Sequence, residues 1–106
     1  MKIFKTAQGR SSIFLAIEAI AKKNKKFILT QAFTCLAVPE AIIKSGYTPL
    51  WLDIEMKTYS LDKSKVQESI NKYKDEIAAL IIQHTYGITP NYYDEIKKFL
   101  FQNLFF

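Results

Sequence analysis

The sequence predicts an α/β domain of three layers, with helices on both faces of a mostly parallel sheet. Two observations lead there: helical and extended patterns alternate along the chain, and the extended runs are short and apolar. Strands separated by helices need crossover connections, which place consecutive strands parallel and helices over both faces.

Each element has its own signal. From Ser11 onward, Ile13, Ile17 and Ile20 recur at i, i+4 and i+7, a helix that Ser11 or Ser12 can cap and that should end near Lys23. Lys22, Lys23, Lys25 and Lys26 cluster around Asn24; in the last turn of that helix they would complement its negative end. Residues 26–30 hold Phe27, Ile28 and Leu29, a buried parallel strand, and residues 31–34 form a loop. Pro39 suits the first turn of a second helix carrying Ala41, Ile42 and Ile43, with Gly46 as its stop. Leu50, Trp51, Leu52 and Ile54 form a second strand, with Pro49 at its start and Asp53 at its carboxyl end. Asp62 or Ser60 caps a third helix, in which Val66, Ile70 and Tyr73 again fall at i, i+4 and i+7. Residues 77–82 are the most continuous apolar run and suit a central strand, ending at Gln83 and His84. Thr89 and Pro90 read as the N-cap and first turn of a last helix bearing Tyr92, Tyr93, Ile96 and Leu100.

Composition excludes several classes. The 106 residues are 49% hydrophobic and 24% charged, the size and balance of one globular domain and not of a disordered chain. A domain this small buries little more than ~60% of its unfolded surface, so neighbours matter to its stability. No apolar stretch approaches the length of a membrane span or a signal peptide, and a soluble cytoplasmic protein is expected. The net charge of +5 comes from lysine, with Arg10 the only arginine and no aromatic residue inside the lysine cluster, so nucleic-acid binding is not the expected role. A single cysteine, Cys35, excludes an intramolecular disulfide and offers no metal-ligand spacing. Phe99, Leu100, Phe101, Leu104, Phe105 and Phe106 crowd together, an apolar tail that needs cover or a partner.

In parallel sheets ligands bind at the carboxyl ends of strands, which makes Asp53, Gln83, His84 and residues 31–35 candidates by position. A second candidate is Gly9, Arg10, Ser11 and Ser12. The glycine lets the backbone approach an anion, a helix start presents free N–H groups, and two hydroxyls and a guanidinium add donors. The same residues also read as an ordinary N-cap. His84 reads as a hydrogen-bonded loop histidine or a pocket-lining group, and Cys35 as a small buried hydrophobe. No nucleophile, base and orienting acid assemble into a catalytic set.

Five segments occur in one order: Gly9-Arg10-Ser11-Ser12, Ala32-Phe33-Thr34-Cys35, Ser45 through Ile54, Thr58-Tyr59-Ser60-Leu61-Asp62 and Gln83-His84-Thr85-Tyr86-Gly87. Together they resemble the DegT/DnrJ/StrS family of pyridoxal-phosphate-dependent sugar aminotransferases, over about residues 9–99, with residues 100–106 a divergent tail. The resemblance implies the aspartate-aminotransferase fold and a partial large domain. It implies that Arg10 and Ser11 donate to the cofactor phosphate, with Ser12 and His84 close to the pocket. Cys35 stands where the family usually stacks an aromatic ring on the pyridine, and a thiol cannot stack. The segments that carry the family's Schiff-base lysine and pyridine-pairing aspartate have no match here, so the expectation is a truncated aminotransferase, inactive alone. Its parent reaction would move an amino group from a donor onto a keto-sugar nucleotide, in a homodimer. The alternatives are a non-catalytic phosphate- or cofactor-binding module, one that docks with a partner, and an unrelated nucleotide- or nucleic-acid-binding α/β protein.

Overall fold

A computed structural model of the chain describes residues 1–104, with side chains described through residue 99. Helices and strands alternate: α1 (Gly9–Ile20), β1 (Phe27–Gln31), α2 (Ala37–Lys44), β2 (Thr48–Leu52), α3 (Lys63–Tyr73), β3 (Ile77–Leu80) and α4 (Tyr93–Leu104). Short 3-10 turns lie at Lys74–Glu76 and Thr85–Gly87. The strands form one parallel sheet in the order β2-β1-β3.

Alternation along β1 explains the three layers, because successive strand side chains point to opposite faces. Ile28 packs with Ile17 and Ala21 at the end of α1 and with Val38, Ala41 and Ile42 of α2. Leu29 packs on the other face with Val66 and Ile70 of α3 and Ile96 of α4. Ile28, Leu29, Ile42, Ile70 and Ile96 are all 0% exposed, and each such side chain stabilises the fold by about 1.5–3 kcal/mol. Asp62 caps α3 by accepting from the Ser64 N–H at 2.9 Å. Gly46, at φ +87, stops α2 just beyond Ser45 in a backbone region that favours glycine.

The structure corrects several sequence expectations. The central strand is β1, and β3 lies at the edge of the described sheet. An apolar run reports cover on both faces, which an edge strand under two helix layers also has. α1 ends at Ile20, because Ala21 turns to extended backbone and the Lys22 N–H donates to the Ala78 carbonyl at 3.0 Å. A register irregularity between β1 and β3, where Phe27 pairs with Ile77 but Ile28 with Ala79, skips Ala78. The lysine cluster therefore lies in the α1–β1 loop, and no basic residue occupies the last turn of α1. Neither Ser11 nor Ser12 caps α1: Gln8 is the N-cap residue, its side chain makes no capping bond, and both serines are inside the first turns.

β1 starts and ends one residue later than expected, so Gln31 belongs to the strand. β2 covers Thr48–Leu52, starting one residue before Pro49, because Thr48 pairs with Phe27, and ending two before Ile54. α4 starts at Tyr93, three residues after Pro90; the Tyr93 N–H closes a turn on the Pro90 carbonyl at 3.1 Å instead of continuing a helix from Thr89. The backbone of α4 continues to Leu104; of the expected apolar tail, Phe99 packs partly buried against the core, and residues 100–106 fall outside the described side chains.

Candidate functional site

The start of α1 leaves hydrogen-bond donors open. Ser11 and Ser12 both send their N–H groups back to the Gln8 carbonyl, at 3.1 and 3.2 Å. The N–H groups of Gly9 and Arg10 have no acceptor among the described residues. Nothing lies within 4 Å of where a Cβ on Gly9 would stand, so the approach to this backbone is open. The first turn carries no acidic residue, which leaves the positive end of the helix uncompensated locally. The opposite charge comes from α2, where Glu40 Oε2 pairs with Arg10 Nη1 at 2.6 Å. Arg10 also has its remaining guanidinium donors. Arg10, Ser11, Glu40 and Lys44 border a groove of about 420 Å³ whose floor includes Phe14 and Leu15. Ser12 turns elsewhere, its hydroxyl 2.5 Å from that of Thr6.

The carboxyl edge of the sheet forms a second constellation. Gln31 ends β1 with 1% of its surface exposed. Its Nε2 shares its two N–H donors among the Phe33 carbonyl at 2.7 Å, the Tyr59 carbonyl at 3.1 Å and the Thr85 hydroxyl at 3.1 Å. Two carbonyls and a hydroxyl as partners fix which end of the amide carries nitrogen, and Oε1 is left buried with no partner among the described residues. Thr34 donates to Gln83 Oε1 at 2.7 Å, Ser60 to the Gln83 carbonyl at 2.7 Å, and Gln83 Nε2 to the Thr85 hydroxyl at 3.3 Å. The loops after all three strands are thereby tied to one buried polar lattice.

Cys35 and His84 sit on these tied loops. Cys35 is an exposed free thiol, not the buried hydrophobe expected, because it lies in the short loop just ahead of α2. His84 is also exposed, with its ring centroid 5.6 Å from that of Tyr93. Neither borders the groove at α1, whereas Arg10 and Ser11 both do. Asp53 serves the loop, accepting from the Ile54 N–H at 2.8 Å on its side chain and from the Asp62 N–H at 3.0 Å on its carbonyl. Gln31 was placed among the candidates by position, but its role as hub was not legible; a polar residue closing an apolar strand was the available signal. Glu40 was missed, since only the fold brings it to Arg10.

These alternating helices and strands form a parallel α/β fold shared with solved pyridoxal-phosphate-dependent aminotransferases. A solved Bacillus cereus protein, assigned by inference as a PLP-dependent aminotransferase, superposes with a TM-score of 0.76 at 30% identity, over 84% of this chain and 25% of that one. A DegT DnrJ EryC1 StrS aminotransferase from Brucella abortus shares the fold, with a TM-score of 0.71 at 18% identity over 86% of this chain and 25% of that one. The model of the DegT/DnrJ/EryC1/StrS aminotransferase family matches residues 3–99, and the chain belongs to that family.

Among curated relatives, the 3-oxo-glucose-6-phosphate:glutamate aminotransferase of Bacillus subtilis is 26% identical over 85 residues, 80% of this chain and 19% of the relative. The dTDP-4-amino-4,6-dideoxy-D-glucose transaminase of Escherichia coli is 31% identical over 71 residues, 67% of this chain and 18% of the relative. The chain spans about a fifth of the length of the curated relatives it matches.

Pyridoxal phosphate is the cofactor this family implies, and the donor set fits its phosphate end. The N–H groups of Gly9 and Arg10 have no acceptor among the described residues, the space beside Gly9 is open, and Arg10 and Ser11 border the groove.

Proposed function

We propose that this chain is the phosphate-holding front of a sugar-aminotransferase domain, and that these 106 residues alone do not transaminate. The open first turn of α1, in a chain matched by the family from residue 3 to residue 99, carries this reading. The Gly9 and Arg10 N–H groups, the Ser11 hydroxyl and the Arg10 guanidinium would hold the phosphate, with Ser12 a reserve donor. Cys35 would lie under the ring as a small, non-stacking face, and His84 would line the pocket wall.

The cofactor, when bound, supplies the electron sink for moving an amino group. The chain's own part is to anchor and orient it. Transamination also requires a lysine as covalent anchor and proton shuttle, and none of the described lysines is buried. The named reactions of the relatives, on 3-oxo-glucose-6-phosphate and glutamate in one and a dTDP-linked amino sugar in another, support a keto-sugar or its nucleotide as the acceptor class. A second copy of the chain, or the rest of a family domain, would complete the site, in a reducing cytoplasm compatible with the single Cys35 thiol.

The test is to incubate the chain with pyridoxal phosphate, reduce with borohydride and map the peptides. Sparse labelling spread over exposed lysines is expected. Stoichiometric labelling of one defined lysine, with turnover of a keto-sugar substrate, would contradict the claim of inactivity.

A further inference from the structure

We propose that Phe33, Tyr59 and Tyr86 form a stacking platform for the flat base of a nucleotide ligand. The ligand class rests on the sugar-nucleotide reading above; the place rests on the carboxyl edge of the sheet. Tyr59 stands between the other two, its ring centroid 6.3 Å from that of Phe33 and 5.7 Å from that of Tyr86. They are 48%, 37% and 76% exposed. The Tyr59–Tyr86 pair meets at 78°, an edge-on contact in which one tyrosine presents its edge and so keeps its own faces free.

The platform is held by its backbone. Tyr59 and Tyr86 both stand at φ +56, a left-handed conformation that strains a bulky side chain and persists only where surroundings enforce it. Backbone turns close over both residues, Tyr59 N–H on the Glu55 carbonyl and Gly87 N–H on that of His84, and the buried Gln31 amide adds bonds to the carbonyls of Phe33 and Tyr59 and the hydroxyl of Thr85, next to Tyr86. One side chain thus positions all three ring-bearing segments from beneath, and the rings stay turned outward where parallel sheets bind ligands. Nucleobases match this surface because every base offers a π face to an aromatic ring. The Phe33 and Tyr86 loops also carry Cys35 and His84.

The experiment is an aromatic and amide NMR titration of the intact chain with UMP, ribose 5-phosphate and inorganic phosphate. UMP is expected to shift the ring signals of Phe33, Tyr59 and Tyr86 saturably, whereas ribose 5-phosphate, lacking the base, leaves them in place. Tyr86→Asn, which keeps a residue tolerant of positive φ, is expected to weaken UMP binding by about tenfold without altering the response to inorganic phosphate. Should that variant fail to fold, Phe33→Leu serves the same comparison.

If UMP moves only the amides of residues 9–12, the platform is wrong and the phosphate site stands. If the ring signals follow protein concentration instead of ligand, a second copy covers these rings and the platform is again wrong. If neither UMP nor inorganic phosphate moves any signal, the phosphate reading fails with it.

Discussion

Gln31 concentrates three hydrogen bonds in one buried amide, so its removal acts on three loops together. Gln31→Leu strips the Phe33 and Tyr59 carbonyls of their side-chain donor, while the Thr85 hydroxyl keeps the bond from Gln83 Nε2, and buried groups left unpaired are costly. A destabilisation of about 2–3 kcal/mol is expected in urea unfolding. Tyr92 presents the converse case. Its phenol oxygen is buried without a partner among the described residues, and burial, then the Glu55 and Asp62 carboxylates, push its ionisation well above the usual tyrosine range. A raised folded value means this contribution to stability is intact below the unfolded value near ~10 and is lost as pH rises beyond it. Tyr92→Phe should therefore be neutral or stabilising by up to about 1 kcal/mol, and should blunt unfolding in an alkaline titration.

The Asp62 carboxyl is shifted the other way, held below the usual carboxylate range first by the Ser64 hydroxyl and, beyond that, by backbone N–H groups of Ser64 and Lys65. Its contribution is present above about pH 4 and fades as pH falls through the lower folded value. Asp62→Ala should lower stability by about 1 kcal/mol near neutrality, with the difference from wild type shrinking on acidification.

At the scale of elements, the legible features were those written in one segment. The order of helices and strands, the Asp62 cap, the Gly46 stop and the Val66–Ile70 seam all follow from local spacing. The end of α1 was not legible, because it is decided by the Ala78 carbonyl of β3 accepting from Lys22. Strand order was missed for a related reason: burial on both faces looks the same in a central and an edge strand. Arg10 and Ser11 are candidates from sequence, but the pairing of Arg10 with Glu40 was not legible, because it links residues thirty positions apart. Because that pair is largely exposed, it should contribute little to stability. Glu40→Gln is therefore expected to shift the unfolding midpoint hardly at all, while relieving the negative charge beside α1 and tightening phosphate, as calorimetry would show.

The whole molecule couples two places that the sequence lists far apart: the open start of α1 and the tied carboxyl edge of the sheet. The sheet fixes both, since Ile28 anchors the α1–α2 layer on one face while Gln31 closes the same strand. Leu29→Ala, at a position 0% exposed in the opposite layer, should cost about 2–5 kcal/mol. In a domain of this size that is enough to populate unfolded chain in thermal melts.

The central claim is that α1 holds the phosphate of the cofactor. The direct measurement is an amide NMR titration of the intact chain with inorganic phosphate, repeated on Arg10→Gln. Saturable shifts at Gly9, Arg10 and Ser11, weakened about tenfold by losing the guanidinium, are predicted. Amides that stay still at α1 while the loop around Lys22, Lys23, Lys25 and Lys26 responds would contradict it.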